Sequence, residues 1–323
     1  MKNVCIIGYG NIGPIHAAAL QNVENARFYA VCDKNPERVD ACMKDYKVIG
    51  YRDIDEALHD ENIHSVHICL PHYLHYEVIE KALAHGKEVV VEKPITMTKE
   101  EFDGLKTIKG ADKVCVVMQN RYNACITRLE EIVKSEKLGK VKGIKGILTW
   151  HRDAEYYSCD DWRGKLDKEG GGVLINQAVH TLDLMCFLAG NIKSIKGNIF
   201  NYSLEGEIEV EDTAVAYLKF ESGASGVFFA TNAYVDDPTP QIEVVFQNGT
   251  ARYVDGKLFV NGENIEADSV SKNGKGYWGA GHPRLIKEYY DFGRYFGIND
   301  VSNTMNALFS IYESAEKEEE ILL

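Results

Sequence analysis

Over the first 120 residues, short apolar runs alternate with segments whose apolar residues return every three or four positions. The runs are "NVCIIG", "RFYAVCD", "SVHICLP", "EVVVEK" and "KVCVVMQ"; the periodic segments are "IGPIHAAALQNV", "PERVDACMKDY", "HYEVIEKALAHG" and "KEEFDGLKTIKG". Nearly unbroken apolar strands with helices between them predict βαβ units and a doubly wound parallel sheet covered on both faces. Beyond residue 120 the pattern changes. "KVKGIKGILTWHR", "SIKGNIFNY", "TAVAYLKFES", "ASGVFFATNAY", "PQIEVVFQNG" and "ARYVDGKLFVNG" are extended and mostly joined through Gly, Asn or Asp, which predicts a large, mostly antiparallel open sheet. "RLEEIVKSEKLG" and "GGGVLINQAVHTLDL" read as helices before that sheet, with "PRLIKEYYDFGRYF" and "NTMNALFSIYESAEKEEEILL" as helices after it. The expected fold class is therefore α/β, with a first domain over 1–120 and an α+β domain over 121–323; whether the C-terminal helices pack back on the first domain stays open.

Length and charge narrow the partners. A chain of 323 residues exceeds one ordinary core and fits two domains. Its formal charge of −13 and pI of about 5.3 oppose the basic footprint that nucleic acid or an anionic membrane surface requires, which leaves a small molecule as the expected ligand. "MKNVCIIGYG" has no basic region or cleavage site of a secretory leader, and no stretch approaches the ~20 apolar residues of a membrane span. The eight cysteines are scattered without a C-x-x-C pair, as in reduced thiols of a cytoplasmic protein, so that location is expected. The close pair His72 and His75 has no cysteine partner, and no metal is expected. The "EKEEE" run reads as a solvated helix face.

Candidate chemistry starts at "GYGNIG", Gly8 through Gly10, Asn11 and Ile12 to Gly13, which directly follows a strand and opens a helix. Gly8 permits the tight turn, Gly10 admits a pyrophosphate to the backbone N–H groups, and Gly13 lets helix and strand pack closely. The second strand ends in Asp33, placed to hydrogen-bond the adenosine ribose hydroxyls and to repel a 2′-phosphate. NAD is expected over NADP, with Lys34 leaving NADP open, and Asp33 as a mere turn or cap residue is the bland alternative. "VVVEKP" carries Glu92 and Lys93 at the carboxyl end of a strand, where ligands of a doubly wound sheet bind. In "GGGVLINQAVHTLDL", helical spacing stacks Asn176, His180 and Asp183 on one face of an otherwise apolar helix, and such a stripe needs partners or a ligand.

"GYGNIG", "CLPHYLH", "EKP", "QNRYN" and "GGGVLINQAVHTLDL", in this order, resemble the Gfo/Idh/MocA family of NAD(P)-dependent oxidoreductases over almost the whole chain. The resemblance implies an N-terminal Rossmann domain, a C-terminal domain with an open antiparallel sheet, oligomerisation through that sheet as a homodimer or homotetramer, and a carbohydrate or cyclitol substrate. It implies Lys93 as a catalytic lysine and His180 as acid/base. Leu70, Pro71 and His75 would line the nucleotide, Glu92 and Gln119 would sit near the nicotinamide ribose, and Trp162 with Arg163 would close over the cofactor from the second domain. Arg121, Tyr157, Tyr277, Trp278 and His282 would border the substrate. Where the family commonly has Asp, this chain has Asn176, followed by Gln177. Asp183 then supplies the missing carboxylate, or Lys93 carries the proton transfer alone.

Hydride transfer from a secondary alcohol requires a base that titrates near the working pH, and both Lys93 and His180 can be tuned there. The leading expectation is an NAD-dependent dehydrogenase or reductase acting on CH–OH groups. A glycoside-cleaving enzyme that uses tightly bound NAD for transient oxidation and elimination is the alternative, and a non-catalytic cofactor-binding sensor is the third reading.

Overall fold

The computed structural model describes residues 1–268 and 280–323, so Tyr277 and Trp278 lie outside the described residues. The chain divides into two compact units. The first comprises Met1–Thr96, Glu100–Gln119 and Gly281–Val301; the second comprises Met97–Lys99, Asn120–Ala280 and Ser302–Leu323.

The first unit holds the strands β1 (Lys2–Ile7), β2 (Ala26–Cys32), β3 (Ile49–Tyr51), β4 (Ser65–Ile68), β5 (Glu88–Val91) and β6 (Val114–Val116). They form one sheet of order β3-β2-β1-β4-β5-β6, parallel throughout, which is the dinucleotide-binding order with its switch point between β1 and β4. Apolar runs became these strands because both faces are covered: β4 and β6 are buried at every residue. Local chemistry sets the helices between them. Asn35 caps the helix Pro36–Tyr46 by accepting from the Glu37 N–H, and Lys47 closes that helix in the left-handed conformation. Asp53 caps Ile54–His59 by accepting from the Glu56 N–H at 3.0 Å. The helix Gly281–Phe292, expected after the second sheet, belongs to this unit and packs against Gly13–Leu20.

The second unit is built on β7 (Val141–Thr149), β8 (Ile192–Phe200), β9 (Thr213–Phe220), β10 (Ser225–Thr231), β11 (Gln241–Phe246), β12 (Gly249–Val254), β13 (Lys257–Val260), β14 (Glu263–Ala267) and β15 (Ile321–Leu322). The sheet order is β14-β13-β12-β11-β7-β10-β9-β8-β15, antiparallel except for the β7–β10 pair. Buried and exposed positions alternate along β9 and β11, the signature of a sheet with one face on a core. The helix Val179–Ala189 packs on β7 and β11, and Ser302–Lys317 packs on β8. Two expectations are corrected here. The C-terminal helix stops at Lys317 because Ile321–Leu322 pairs with β8 as an edge strand. The "GGG" helix starts only at Val179; residues 173–178 are turns in which the Val173 carbonyl accepts from both the Gln177 and Ala178 N–H groups.

Candidate active site

In the first unit the turn after β1 is shaped by contacts that only glycine allows. A Cβ on Gly8, whose φ is +93°, would stand 2.4 Å from the Cys69 carbonyl oxygen, and one on Gly13 would stand 2.6 Å from that of Gly8. At Gly10, by contrast, the nearest atom to such a Cβ is Arg38 Nη1 at 3.8 Å, so the backbone there faces open space beside the start of the helix Gly13–Leu20. Asn11 is exposed and Ile12 half-buried. An open backbone at a helix N-terminus fits a pyrophosphate.

Asp33 has two roles that the sequence set against each other. Its Oδ2 accepts from the Tyr9 N–H at 2.6 Å and its Oδ1 from the Asn35 N–H at 2.8 Å, which ties β2 to the glycine turn. Arg38 Nη1, on a half-exposed side chain that sequence reasoning did not single out, lies 3.7 Å from Asp33 Oδ2.

Leu70 and Pro71 are half-buried in the turn after β4. His75 is fully buried, with Nδ1 2.7 Å from the Pro94 carbonyl oxygen and Nε2 2.8 Å from that of Leu70. It is therefore packed between the main chains of these two turns, with burial favouring the neutral ring, which donates to one of the two carbonyls. Lys93 is half-buried just past β5, and its bond to Pro94 is cis. Gln119 is buried. Glu92 is buried and its Oε1 lies 3.0 Å from His16 Nε2 and 3.2 Å from His282 Nε2. Burial pushes this carboxyl up, yet the two imidazole donors outweigh it and hold Glu92 well below the ordinary carboxylate range. His282 is thus a buried partner of Glu92 in the first unit, and no expectation from sequence had joined the two.

In the second unit the last of the three glycines, Gly172, packs against Glu211. A Cβ on Gly172 would fall 1.8 Å from the Glu211 carbonyl oxygen. The Glu211 carboxylate accepts from the Gly172 N–H at 2.8 Å, the Leu174 N–H at 3.0 Å and the Tyr312 hydroxyl at 2.9 Å. The polar stripe has partners of its own. Asn176 Nδ2 donates to Glu169 Oε1 at 2.5 Å, and Glu169 Oε2 also accepts from the Gly164 N–H at 2.5 Å. Burial raises Glu169 against these hydrogen bonds, to about 7. Arg121 and Asp183, both expected at the substrate, grip each other: Nε to Oδ2 is 2.8 Å and Nη2 to Oδ1 is 2.5 Å, with Thr304 Oγ1 donating to Oδ1 at 2.8 Å. Both side chains are buried, at 3% and 0% exposure.

His180 is buried in the first turn of Val179–Ala189. Beside this segment runs an amide and phenol network. Asn232 Nδ2 donates to Gln177 Oε1 at 3.1 Å and to the Tyr157 hydroxyl at 3.0 Å, while Gln177 Nε2 donates to the Tyr156 hydroxyl at 3.2 Å. Burial pushes the Tyr157 phenol up, so it acts as a neutral group. Arg163 donates to Asp160 and to the Tyr156 hydroxyl, with its guanidinium 4.6 Å from the Tyr156 ring centre and 4.9 Å from that of Trp162. Glu211, Tyr156 and Asn232 escaped the sequence reading because each becomes a neighbour of the motif only through the fold; Glu169 directly precedes Gly170 in the chain and was overlooked.

Comparison with known proteins agrees with the geometry. A family model described as an oxidoreductase family with an NAD-binding Rossmann fold matches residues 2–120, and one described as the GFO/IDH/MocA C-terminal domain matches residues 126–252. Myo-inositol 2-dehydrogenase of Thermotoga maritima is 27% identical over 252 residues, covering 76% of this chain and 72% of that protein. The scyllo-inositol 2-dehydrogenase (NAD(+)) of Bacillus subtilis is 28% identical over 228 residues, 68% of this chain and 64% of that protein. Among solved structures, the WlbA dehydrogenase from Bordetella pertussis in complex with NADH and UDP-GlcNAcA superposes with a TM-score of 0.86 at 25% identity, covering 100% of this chain and 98% of that one. Among the described residues, no helix is long and apolar enough to cross a membrane.

Proposed function

The chain belongs to the Gfo/Idh/MocA family of oxidoreductases, and from that premise we propose that it moves a hydride between NAD and a secondary hydroxyl or ketone on a sugar, sugar derivative or cyclitol ring. The observation that carries this reading is the glycine turn: backbone open at Gly10, a helix opening behind it, and the Asp33 carboxylate fastened to Tyr9 at the end of β2. Gly8, Gly10, Asn11, Ile12 and Gly13 would hold the pyrophosphate and Asp33 the adenosine ribose, with Leu70, Pro71, Glu92 and Gln119 toward the nicotinamide half. Trp162 and Arg163 are further candidates for contact with the nucleotide. Bound NAD supplies hydride acceptance; the chain supplies orientation and proton handling.

Lys93 and His180 are the two groups assigned to holding the alcohol proton. Lys93 at the end of β5 is half-buried, and His180 sits in the first turn of its helix beside the Gln177–Asn232–Tyr157 network. That network of neutral donors and acceptors suits a polyhydroxylated ring, and the relatives' substrates support carbohydrate or cyclitol chemistry. Arg121 and Asp183 are assigned to holding the second unit together. We further propose self-association through the open sheet face that exposes Tyr217 and its cross-strand partner Val227, to be tested by light scattering.

The function is tested by incubating sugars, cyclitols, nucleotide sugars and aryl glycosides with NAD⁺ and NADP⁺ and following reduced-cofactor absorbance. Substrate-dependent NADH is expected. Release of the aryl group with no net NADH selects the elimination reaction instead. In Lys93→Met, turnover is expected to fall by ~10³ or more with NADH affinity retained; near-normal turnover overturns the assignment of Lys93.

A further inference from the structure

The first unit contains a run of buried polar side chains that ends at Glu92 and whose other members the proposed chemistry does not use. Ser65 Oγ lies 2.7 Å from the Tyr290 hydroxyl, which lies 2.9 Å from His67 Nε2. His67 Nδ1 is 2.9 Å from His16 Nδ1, and His16 Nε2 is 3.0 Å from Glu92 Oε1. The members come from β4, the helix Gly281–Phe292, the helix Gly13–Leu20 and the end of β5, and all are buried.

Hydrogen-bonding capacity fixes the direction of the whole run. An ionised carboxylate only accepts, so His16 donates from Nε2; a neutral imidazole that donates from one nitrogen accepts at the other. His16 Nδ1 must then receive the proton of His67 Nδ1–H. His67 in turn accepts at Nε2 from the Tyr290 O–H, and Tyr290 accepts from the Ser65 O–H. Burial lowers both imidazoles, His67 the more strongly, which keeps them neutral at pH 7. Reversing any one link reverses every link beyond it and turns the His16 lone pair onto the Glu92 anion.

We propose that Ser65, Tyr290, His67 and His16 are positioning residues forming a one-way donor chain that holds the Glu92 carboxylate oriented and ionised beside Lys93. The role assigned to Glu92 rests on the functional reading above; the direction of the chain does not. With Oε1 held by His16 and His282, Oε2 is directed to the opposite side of the carboxylate, where the Lys93 N–H lies 3.3 Å away. The run is a local lock on the turn that carries Lys93.

The test reads tautomers first. In ¹⁵N-histidine-labelled protein at pH 7, long-range ¹⁵N–¹H correlation is expected to show His67 as the Nδ1–H form and His16 as the Nε2–H form. In Tyr290→Phe, which removes one hydroxyl from a ring otherwise retained, His67 is expected to lose its single tautomer. kcat should fall about three- to tenfold, as for one lost hydrogen bond, with KM for the carbohydrate within about twofold. His16→Gln, whose amide can still donate to Glu92, is expected to keep kcat within about threefold of wild type, whereas His16→Leu should lose at least about tenfold.

His67 found as Nε2–H or doubly protonated overturns the chain. Assigned tautomers together with unchanged kcat in both Tyr290→Phe and His16→Leu overturn its positioning role. Tight stoichiometric Zn²⁺ uptake also overturns it, since a cation held by His16, Glu92 and His282 needs lone pairs where the chain places protons. A wild-type protein that binds no dinucleotide defeats the functional reading alone, because the tautomer spectrum decides the direction of the chain without it.

Discussion

Separating Arg121 from Asp183 asks what this buried ion pair of the second unit is for. Asp183 is fully buried, receives two hydrogen bonds from one guanidinium and a third from Thr304, and lies one helical turn beyond His180. Arg121→Met leaves that carboxylate with the Thr304 hydroxyl in place of a counter-charge, and Asp183→Asn turns an amide against the guanidinium. Removing one member of such a pair costs ~3–5 kcal/mol, a large share of the ~5–15 kcal/mol that stabilises a typical protein. The double variant Arg121→Met/Asp183→Leu leaves no stranded charge, so its loss should fall short of the sum of the single losses by ~2 kcal/mol or more. Urea unfolding followed by circular dichroism, with the slopes compared, measures all three variants. Single losses below ~1 kcal/mol would refute the structural assignment. A well-folded Asp183→Asn with wild-type stability and kcat down ~100-fold would place Asp183 in the chemistry instead.

Three further outcomes follow from the geometry. Glu169 titrates near 7 in the folded chain against an ordinary value of 4.5, so the native state holds the extra proton between those values. Stability is therefore complete below the lower value and declines by ~3 kcal/mol as pH rises through 7, a slope that Glu169→Gln should abolish in denaturation curves from pH 5 to 8; an unchanged slope rejects the assignment. Gly172→Ala drives a Cβ into the Glu211 carbonyl oxygen and should cost at least ~3 kcal/mol, read as a lower melting temperature, whereas unaltered melting would show that the turn can shift. Asp33→Ser should raise the NADP/NAD preference in kcat/KM by ~10-fold or more, because Arg38 remains nearby once the repelling carboxylate is gone; a preference that does not move would assign Asp33 to the turn alone.

The sequence was legible wherever the backbone itself imposes composition. Both faces of the first sheet are covered, so its strands had to be apolar runs, and Gly8 and Gly13 had to be glycine where carbonyls stand within 3 Å of a missing Cβ. Shorter elements slipped through: β3 has only three residues, and the helix Ile54–His59 is announced only by the Asp53-x-x-Glu56 cap, a signal present in the chain and overlooked. The helix start at Val179 could not be read from periodicity, because what holds residues 172–174 is Glu211, dozens of residues further on. His16, His67 and Tyr290 are invisible for the same reason: each occupies a position that an apolar side chain would suit, and their partners are 51 and 223 residues away.

The polar stripe shows what such distance does to an inference. Helical spacing identified Asn176, His180 and Asp183 as residues needing partners, and that requirement was physically sound, but spacing carries no information on whether the partner is a ligand or another side chain. The fold supplies Glu169 to Asn176 and Arg121 with Thr304 to Asp183. The carboxylate absent from position 176 is thus present one hydrogen bond behind it, on Glu169, where it orients an amide and titrates near neutrality. Of the three stripe residues, His180 is the one left as a candidate for direct proton transfer. Glu169 and Glu92 are buried carboxylates that their surroundings drive in opposite directions: burial raises Glu169, whereas the His16 and His282 imidazoles hold Glu92 down.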